Sequence, residues 1–406
     1  MLRPAHGVIL AVLALMTVGV LMVNSVGLAR NPGLEAAALA SAPPAGPVTA
    51  AGLLWGRPTL YAALAVAALL VGTAVPIGRL VDAISRRSLG PWIAGVTAAC
   101  TLLALASVYV PGLGKEVNGA RRWIEIGSWT MQPSEIAKWT MPALIAWWCV
   151  TRGDAIAWFR RGFLPAIAWV MIVGGMIGIE DLGTGVLVVG VAVLLLAAGG
   201  VRIAHLMLLV PAGLAAVTVA IIESPYRVRR LLAWQDPFAD PQGIGYHIIQ
   251  SLSAIAGGGV SGRGLGQGIQ KFGYLPEGTT DFIFANICEE LGLAGAVLVV
   301  GLFAALLWSG LQIITPSSEG RSASQGLRLF GFGVVMTVGL QALMNLLVVT
   351  GLAPTKGIAL PLVSHGGTGW VLTAFSLGLL ASIDRSRGAT TPESSTSAPD
   401  AVPATT

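Results

Sequence analysis

Residues 163–200 read FLPAIAWVMIVGGMIGIEDLGTGVLVVGVAVLLLAAGG, two long apolar runs separated only by the polar sequence EDLGTG. A helix that crosses about 30 Å of hydrocarbon at about 1.5 Å per residue needs about 20 apolar residues. The runs 163–180 and 182–200 come close to that length. The stretch therefore predicts two neighbouring transmembrane helices joined by a tight polar turn.

Composition extends this interpretation to the whole chain. Of the 406 residues, 55% are hydrophobic and 11% are charged, whereas soluble domains carry about 25% charged residues. The net charge of +5 is spread thinly and forms no basic block that would bind nucleic acid. The three cysteines form no CxxC pair and the four histidines no HxxxH pair, so no disulfide framework and no metal site are predicted. A polytopic membrane protein is the class that remains.

Eight further apolar runs have the length of a membrane span. The sequence predicts an all-α polytopic membrane protein with ten transmembrane helices and a large, partly helical extracytoplasmic loop between spans 7 and 8. The predicted spans are 8–28, 59–78, 91–111, 133–150, 163–180, 182–200, 203–222, 282–308, 328–350 and 363–383.

Lys and Arg residues set the predicted orientation. With both termini in the cytoplasm, cytoplasmic segments carry about twice as many of them as the short outer loops, as the positive-inside rule requires. Residues 1–385 then form one transmembrane domain, which includes an extended outer loop at 30–57 and the large outer loop at 223–281. Residues 386–406 are rich in Ser, Thr, Pro and Ala and predict a disordered cytoplasmic tail.

The loop 223–281 contains both a helical and a glycine-rich segment. The glycine-rich stretch 257–268 permits close approach to a ligand. It lacks the preceding strand and the GK[ST] ending of a phosphate-binding loop, so a flexible turn is the simpler interpretation. A set of apolar residues at helical spacing predicts a short amphipathic or re-entrant helix against the membrane surface. These residues are Ile248, Ile249, Leu252 and Ile255.

Carboxylates near the membrane are the first candidates for chemistry. Asp281 opens the eighth span, where it could cap the helix by accepting hydrogen bonds from free N–H groups, act as a general base, or do both. Glu289 and Glu290 lie two turns deeper, where a carboxylate indicates either function or a buried partner. Glu135 and Lys138, three residues apart on the fourth span, are expected to pair.

A set of cationic residues lies on the outer face under this topology. Guanidinium groups suit pyrophosphate and carboxylate ligands, so an outer-leaflet substrate that carries pyrophosphate would account for their position. Contact with anionic lipid head groups is the alternative. Glu180 and Asp181 are expected to cap the sixth span rather than to hold a cation. The cationic residues are Arg121, Arg122, Arg227, Arg229, Arg230, Arg263, Lys271 and Lys356.

Several long motifs resemble those of one family. The sequences NGARRWIEIG and QPSEIAK within 118–138, EDLGTG at 180–185 and PYRVRR at 225–230 are similar to signatures of the SEDS family (shape, elongation, division and sporulation). DPFADPQGIGYHIIQS and the long motifs GLGQGIQKFGYLPEGTTDFIFANICEELG and NLLVVTGLAPTKGIALPLVSHGGTG follow in the family's order. The resemblance covers about residues 58–385 and agrees with the ten predicted spans.

The resemblance implies an inverting peptidoglycan glycosyltransferase, a hexosyltransferase that polymerises lipid II on the outer face of the bacterial cytoplasmic membrane. Asp281 matches the family's essential aspartate and would deprotonate the 4-hydroxyl of the acceptor N-acetylglucosamine. That oxygen would attack C1 of the donor N-acetylmuramic acid and displace undecaprenyl pyrophosphate. Lys356, in the PTKG motif, would bind the donor pyrophosphate. The other candidate substrate-binding residues are Arg122, Arg227, Lys271, Glu277, Glu290 and Ser364.

The resemblance also implies cofactors and partners. No tightly bound cofactor is expected, although Mg²⁺ or Mn²⁺ could assist pyrophosphate chemistry, and Glu277 could orient the site or hold such an ion. The implied partners are lipid II, a class B penicillin-binding protein transpeptidase, other cell-division proteins and membrane lipids. The sequences QKFGYLPE and PTKG favour the division-type branch over the elongation-type branch. His365 and Gly369 stand where the family's SYGGSS has a tyrosine and a serine, which changes the polarity of that loop.

Two alternatives to a polymerase stay open. A lipid II flippase would need sites near the midplane that are reached from both sides of the membrane. A non-catalytic scaffold for the transpeptidase would not need Asp281. A polymerase needs that carboxylate at the outer surface only.

Overall fold

The computed structural model describes residues 3–27, 56–117, 119–127, 129–315 and 324–388. Most of the predicted outer loop at 30–57 and of the predicted tail at 386–406 lies outside the described residues. The described residues form fourteen α-helices: α1 (Pro4–Gly27), α2 (Arg57–Ala74), α3 (Ile77–Arg86), α4 (Gly90–Ala106), α5 (Pro133–Arg152), α6 (Leu164–Glu180), α7 (Leu182–Ala198), α8 (Ile203–Met207), α9 (Leu209–Ile222), α10 (Pro225–Gln235), α11 (Tyr246–Gly258), α12 (Ile283–Ile314), α13 (Gln325–Val349) and α14 (Thr368–Gly388).

The helices bear out the predicted all-α membrane class. Helix α7 is apolar but shorter than the seven helices, given below, that could each cross a membrane. Helices α5 and α14 lie where two further spans were predicted. Helix α5 carries Glu135, Lys138 and Arg152, which reduces its apolar character. The count of ten spans therefore stays a prediction. Seven helices in the described residues are long and apolar enough to cross a membrane: Pro4–Gly27, Arg57–Ala74, Gly90–Tyr109, Phe159–Glu180, Ile203–Ile222, Ile283–Ile314 and Gln325–Val349.

Two apolar cores hold the helices together, and α13 contributes to both. The larger core joins α1, α2, α12, α13 and α14, and the smaller one joins α5, α6 and α7. Helices α2 and α14 lie backbone against backbone, because a Cβ added at Gly72 or Gly378 would meet a main-chain carbonyl of the other helix. Such close approach is the usual way in which membrane helices gain packing energy. It fixes α14 and the loop that precedes it.

A small antiparallel sheet of three strands precedes α5, and the all-α prediction missed it. The strands are β1 (Gly114–Val117), β2 (Ala120–Ile126) and β3 (Trp129–Met131), in the order β1-β2-β3. Gly114 pairs with Ile124, and Ile124 pairs with Met131. Side chains alternate along a strand, so Arg121 and Arg122 on β2 point to opposite faces. Arg121 binds Glu116 (3.3 Å), while Arg122 lines the cavity described below.

The loop 223–281 is largely structured. The predicted amphipathic helix is confirmed as α11, which buries Ile248 and leaves Leu252 partly exposed. Helix α12 is interrupted at Gly292, whose φ of 66° lies in the left-handed region that glycine adopts without strain. The glycine-rich segment fits into this break. The N–H groups of Arg263 and Gly264 donate to the carbonyls of Glu289 and Glu290, both at 2.9 Å.

Candidate active site

One large cavity opens at the end of the bundle where α12 begins. Its volume is about 950 Å³, and it is bounded by β2, the starts of α5 and α7, helix α10 and the segments 277–281 and 354–370. The mixture of acidic and basic groups suits a charged, hydrogen-bonding ligand. The charged and titratable side chains that line it are Lys115, Arg122, Glu135, Lys138, Glu180, Asp181, Tyr226, Arg227, Arg230, Glu277, Asp281, Lys356 and His365.

The Asp281 side chain is free to react. Phe282, not Asp281, occupies the cap position of α12, and no side chain caps this helix, so the predicted capping role is wrong. Among the described residues the Asp281 carboxylate has no hydrogen-bond or ion-pair partner. Burial, helped by repulsion from Glu277 and Asp181, raises the pKa of Asp281 to about 7. A carboxylate of that pKa is suited to accept a proton at neutral pH.

The backbone carbonyls around Asp281, by contrast, are all hydrogen-bonded. Glu277 begins the segment with a φ of 55°, a left-handed conformation that is unusual for a residue other than glycine. The next four carbonyls each accept a hydrogen bond from a different residue, which fixes the path of the chain. The pairs are Asn286 Nδ2 to Gly278 O (2.9 Å), His365 N to Thr279 O (2.9 Å), Ser364 Oγ to Thr280 O (2.6 Å) and Asn345 Nδ2 to Asp281 O (2.7 Å).

Ser364 lies at the cavity wall, but its hydroxyl is already occupied. It donates to the carbonyl of Thr280 and accepts from the N–H of Leu360 (2.7 Å), and the residue is 1% exposed. The structure thus gives Ser364 a role in holding the loop. His365 also lines the cavity.

Arg122 brings positive charge to Asp281, and Lys356 lines the same cavity. The ammonium group of Lys356 has no hydrogen-bond or ion-pair partner among the described residues, and burial lowers its pKa while Asp181 opposes that effect. Arg122 lies 3.5 Å from Asp181. A Cβ added at Gly357 would lie 3.1 Å from Asp281 Oδ2 and 4.0 Å from Arg122 Nη1. The side chains of Asp281 and Arg122 therefore converge on that glycine.

Arg227 and Arg230 line the cavity and also bind backbone at its rim. Arg227 donates to the carbonyls of Gly178 (3.2 Å), Ile179 (3.0 Å) and Ala220 (3.0 Å), which end α6 and α9. Carbonyls at helix C-termini carry partial negative charge, so a guanidinium there is stabilising. Arg230 donates to the carbonyl of Thr355 at 3.0 Å, next to Lys356.

Lys271 and Glu290 do not line this cavity, so the geometry gives no support to their predicted binding role. They form a buried ion pair of 3.1 Å, with side chains 2% and 1% exposed. Ser25 on α1 donates to Glu290, and the N–H of Gly266 donates to it at 2.8 Å. The Glu289 carboxylate likewise accepts from the N–H groups of Ile269 and Gln270. Of the two roles considered for Glu289 and Glu290, the structure supports the pairing with buried partners.

The expected pair of Glu135 and Lys138 is confirmed at 2.8 Å and lies at the cavity wall. Lys138 also donates to Gln341 Oε1 (2.9 Å), and Gln341 Nε2 donates to the carbonyl of Ala359 (2.8 Å). Sequence reasoning missed Gln341 and Asn345. The available signal was two amide side chains one turn apart inside an apolar span, where polar groups are expensive.

The predicted cap of the sixth span is also confirmed, because the Asp181 carboxylate accepts from the N–H of Thr184 at 3.0 Å. No group of three or more His, Cys, Asp or Glu side chains that could hold a metal ion is found within the described part of the chain. The cavity offers an anionic ligand the cationic side chains of Arg122, Arg227, Arg230 and Lys356.

The family can now be assigned. The sequence model of the family described as "Cell cycle protein", which groups FtsW, RodA and SpoVE, matches residues 47–389. The chain belongs to the FtsW/RodA/SpoVE family. The resemblance to the SEDS family is thereby confirmed, with FtsW-like character.

Relatives of this family member cover most of its length. Stage V sporulation protein E of Bacillus subtilis is 39% identical over 72% of this chain and 79% of its own. The probable peptidoglycan glycosyltransferases FtsW of Geobacter metallireducens and Marinobacter nauticus are 34% and 37% identical, over 80% and 82% of this chain and 84% and 80% of their own.

Solved structures of the same fold include a chain from "Structural coordination of polymerization and crosslinking by a peptidoglycan synthase complex". That chain is 27% identical, with a TM-score of 0.67 and coverage of 94% of this FtsW/RodA/SpoVE member and 98% of its own length. The rod shape determining protein RodA of Thermus thermophilus has a TM-score of 0.56 at 22% identity, over 94% of this chain and 96% of its own, which shows the shared fold.

Proposed function

We propose that the chain is a peptidoglycan glycosyltransferase that polymerises lipid II. The observation that carries the proposal is Asp281: a carboxylate without partners among the described residues, with its pKa raised to about 7, beside Arg122 in a large cavity that Lys356 also lines. Relatives at 34% and 37% identity are named probable peptidoglycan glycosyltransferases. The geometry and the relatives' names point to the same chemistry.

In the proposed reaction Asp281 acts as the general base. It removes the proton from the 4-hydroxyl of the acceptor N-acetylglucosamine, because a sugar hydroxyl is a weak nucleophile until a base takes its proton. The oxygen attacks C1 of the donor N-acetylmuramic acid and forms the new C–O bond. The bond from C1 to the pyrophosphate oxygen breaks, undecaprenyl pyrophosphate leaves with the electron pair, and the configuration at C1 inverts.

Lys356 and Arg122 stabilise the leaving pyrophosphate in this proposal. Negative charge develops on the departing group, and cations fixed in a partly desolvated site stabilise it more strongly than water does. Lys356 is suited to direct binding because no described protein group occupies its ammonium. Arg227 is held by backbone carbonyls, so it contributes positive potential from a fixed position. Glu277 raises the pKa of Asp281 and so tunes the base.

We expect any Mg²⁺ or Mn²⁺ ion to enter with the substrate pyrophosphate. Glu277 and Asp281 are two carboxylates that line the cavity, and no group of three or more His, Cys, Asp or Glu side chains that could hold a metal ion is found among the described residues. Hard divalent cations are commonly bound by one or two carboxylates together with substrate phosphates.

We further propose that the protein works in cell division, with both termini in the cytoplasm and the cavity facing outward. The distribution of Lys and Arg supports this orientation. The description "Cell cycle protein" and the FtsW relatives support a division role. The related solved chain comes from a peptidoglycan synthase complex that coordinates polymerisation with crosslinking, which supports a class B penicillin-binding protein as partner.

The decisive experiment is polymerisation of labelled lipid II by the purified protein, with and without a cognate class B partner. Wild type should make glycan and Asp281→Asn should not, while the variant still folds and binds lipid II. Product from both proteins would remove Asp281 from catalysis. Translocation of lipid II in vesicles without glycan formation would replace the proposal by a flippase.

A further inference from the structure

Two amide side chains on α13 hold the backbone on both sides of the cavity. Gln341 and Asn345 lie one helical turn apart, so they share a face of the helix. Asn345 Nδ2 donates to the carbonyls of Asp281 and Ile358, both at 2.7 Å. Gln341 Nε2 donates to the next carbonyl, that of Ala359, at 2.8 Å. One amide group thus touches both the residue proposed as base and the segment that follows Lys356.

The orientation of the Asn345 amide follows from its partners. Both contacts are to carbonyl oxygens, which accept but cannot donate, so the NH₂ group must face them. The opposite end, Oδ1, is buried and has no hydrogen-bond partner among the described residues. A buried acceptor without a partner destabilises the fold. The two donor contacts are therefore what the side chain contributes at this position.

Two amide side chains of α13 hold the segment that follows Lys356. Ile358 and Ala359 follow Lys356 and Gly357 directly, and their carbonyls are held by Asn345 and Gln341. Gln341 is itself held by Lys138 at 2.9 Å, and Lys138 by Glu135 at 2.8 Å. These contacts form a continuous chain from α5 through α13 to the Lys356 segment.

We propose that Asn345 is a positioning residue that fixes the spacing between the Asp281 carboxylate and the segment carrying Lys356. The base acts on the acceptor hydroxyl while Lys356 acts on the leaving pyrophosphate of the donor, and both act in one displacement, so their separation limits the rate. The catalytic consequence rests on the proposed function. The structural claim, that Asn345 holds the two segments together, does not.

A disulfide reports the spacing without any need for activity. Cysteines replace Asp281 and Gly357, because a Cβ at position 357 lies 3.9 Å from Asp281 Cγ. The three native cysteines, Cys100, Cys149 and Cys288, are replaced by alanine. The rate of disulfide formation under mild oxidant is then compared between chains with Asn345 and with Asn345→Leu. We expect the rate to fall about tenfold or more in Asn345→Leu, since small displacements of reacting groups have large effects on rate.

Two variants guard against a general loss of folding. Asn345→Asp keeps the side-chain shape but places carboxylate oxygens against two carbonyls, and it should slow the disulfide as Asn345→Leu does. Thr337→Val is the matched control on the same helix. Thr337 is also 1% exposed, and its hydroxyl donates only to the carbonyl of Gly333 within α13. In the Thr337→Val chain the rate of disulfide formation should equal that of the chain with Thr337 and Asn345. Equal rates in all chains would overturn the proposal.

Polymerisation kinetics test the catalytic consequence. Asn345→Leu should lower kcat about 10- to 100-fold and leave KM for lipid II within about threefold, because spacing affects the reacting state more than ground-state binding. A loss confined to KM, or an unchanged kcat, would overturn this part. If the wild type makes no glycan even with its partner, the proposed function fails, and the disulfide rates alone decide whether Asn345 positions the two segments.

Discussion

Arg122 on β2 lies 3.5 Å from Asp181 at the start of α7, and this pair adjoins Asp281. Asp181 raises the pKa of Asp281 and Arg122 lowers it, so their charges act on the carboxylate in opposite directions. Burial and Glu277 are the larger causes that raise the pKa to about 7. Four changes to the charged groups and the backbone give distinct expectations.

The first concerns the pH dependence of the rate. Only the ionised Asp281 can accept a proton, so polymerisation should rise with pH through about 7, the pKa of Asp281. Glu277→Gln removes a repulsive charge, lowers that pKa and should move the rise to lower pH. The measurement is the initial rate of lipid II polymerisation across pH. Glu125→Gln, which breaks the exposed pair with Lys115, is the control that should leave the midpoint in place. Superimposable profiles for wild type and Glu277→Gln would contradict the assignment.

The second joins activity to stability. Asp281→Asn should lose about 10²–10⁴-fold in rate, the usual contribution of a general base. The same change should raise Tm. The pKa of Asp281 is higher in the folded than in the unfolded chain, so stability is lost as pH rises from about 4 through 7. The gain in Tm for the variant should therefore be larger at pH 8 than at pH 5. A lower Tm at pH 8 would contradict the raised pKa.

The third prediction distinguishes a structural role from a substrate-binding role for Lys271 and Glu290. Lys271→Met leaves a buried carboxylate without its cation and should lower the free energy of unfolding by about 3–5 kcal/mol. The double variant Lys271→Met, Glu290→Leu should recover much of that loss. Thermal unfolding in detergent measures both. Lys115→Met, in an exposed pair, should cost at most about 1 kcal/mol.

A role in binding gives another pattern for the same two residues. If the two residues bind the substrate, the folded fraction of Lys271→Met should bind lipid II more weakly than the wild type does. The folded fraction of the double variant should bind it more weakly still. Binding of labelled lipid II by the folded fraction of each variant distinguishes the two accounts. We expect an affinity equal to that of the wild type.

The fourth uses Gly357. An added Cβ would lie 3.1 Å from Asp281 Oδ2, closer than ordinary van der Waals contact, so Gly357→Ala should displace the carboxylate. We expect about a 10- to 100-fold lower kcat, in line with the cost of misplacing a reacting group. Gly190→Ala, where a Cβ would meet no atom within 4 Å, is the control. Wild-type kcat in Gly357→Ala would show that Asp281 can move freely.

Much of the fold could be predicted from the sequence, because a helix that crosses a bilayer needs a long apolar run. Apolar length predicted the membrane class, and helical spacing predicted α11 around Ile248. The pair of Glu135 and Lys138 followed from their separation of three residues. These features depend on residues close together in the chain, where spacing fixes geometry.

What the sequence did not predict depends on contacts between distant segments. Lys271 has the charge and the motif of a ligand-binding residue, and only packing against Ser25 and Glu290 shows that it is buried. Asp281 looks like a helix cap because it precedes α12, but the helix begins two residues later. Asn345 gives no local signal of its partners, which are 64 and 13 residues away.

The break at Gly292 has a mechanical consequence. The glycine-rich segment is bonded to α12 on both sides of the break, because the carbonyls of Glu289 and Glu290 accept from it and the N–H of Leu293 donates to the carbonyl of Gly259 at 3.0 Å. Helix α12 continues for more than twenty residues beyond Gly292, and a change in bilayer thickness tilts long helices. Since the segment bridges the break, we expect a tilt of the long half to be passed on to the first turns that follow Asp281.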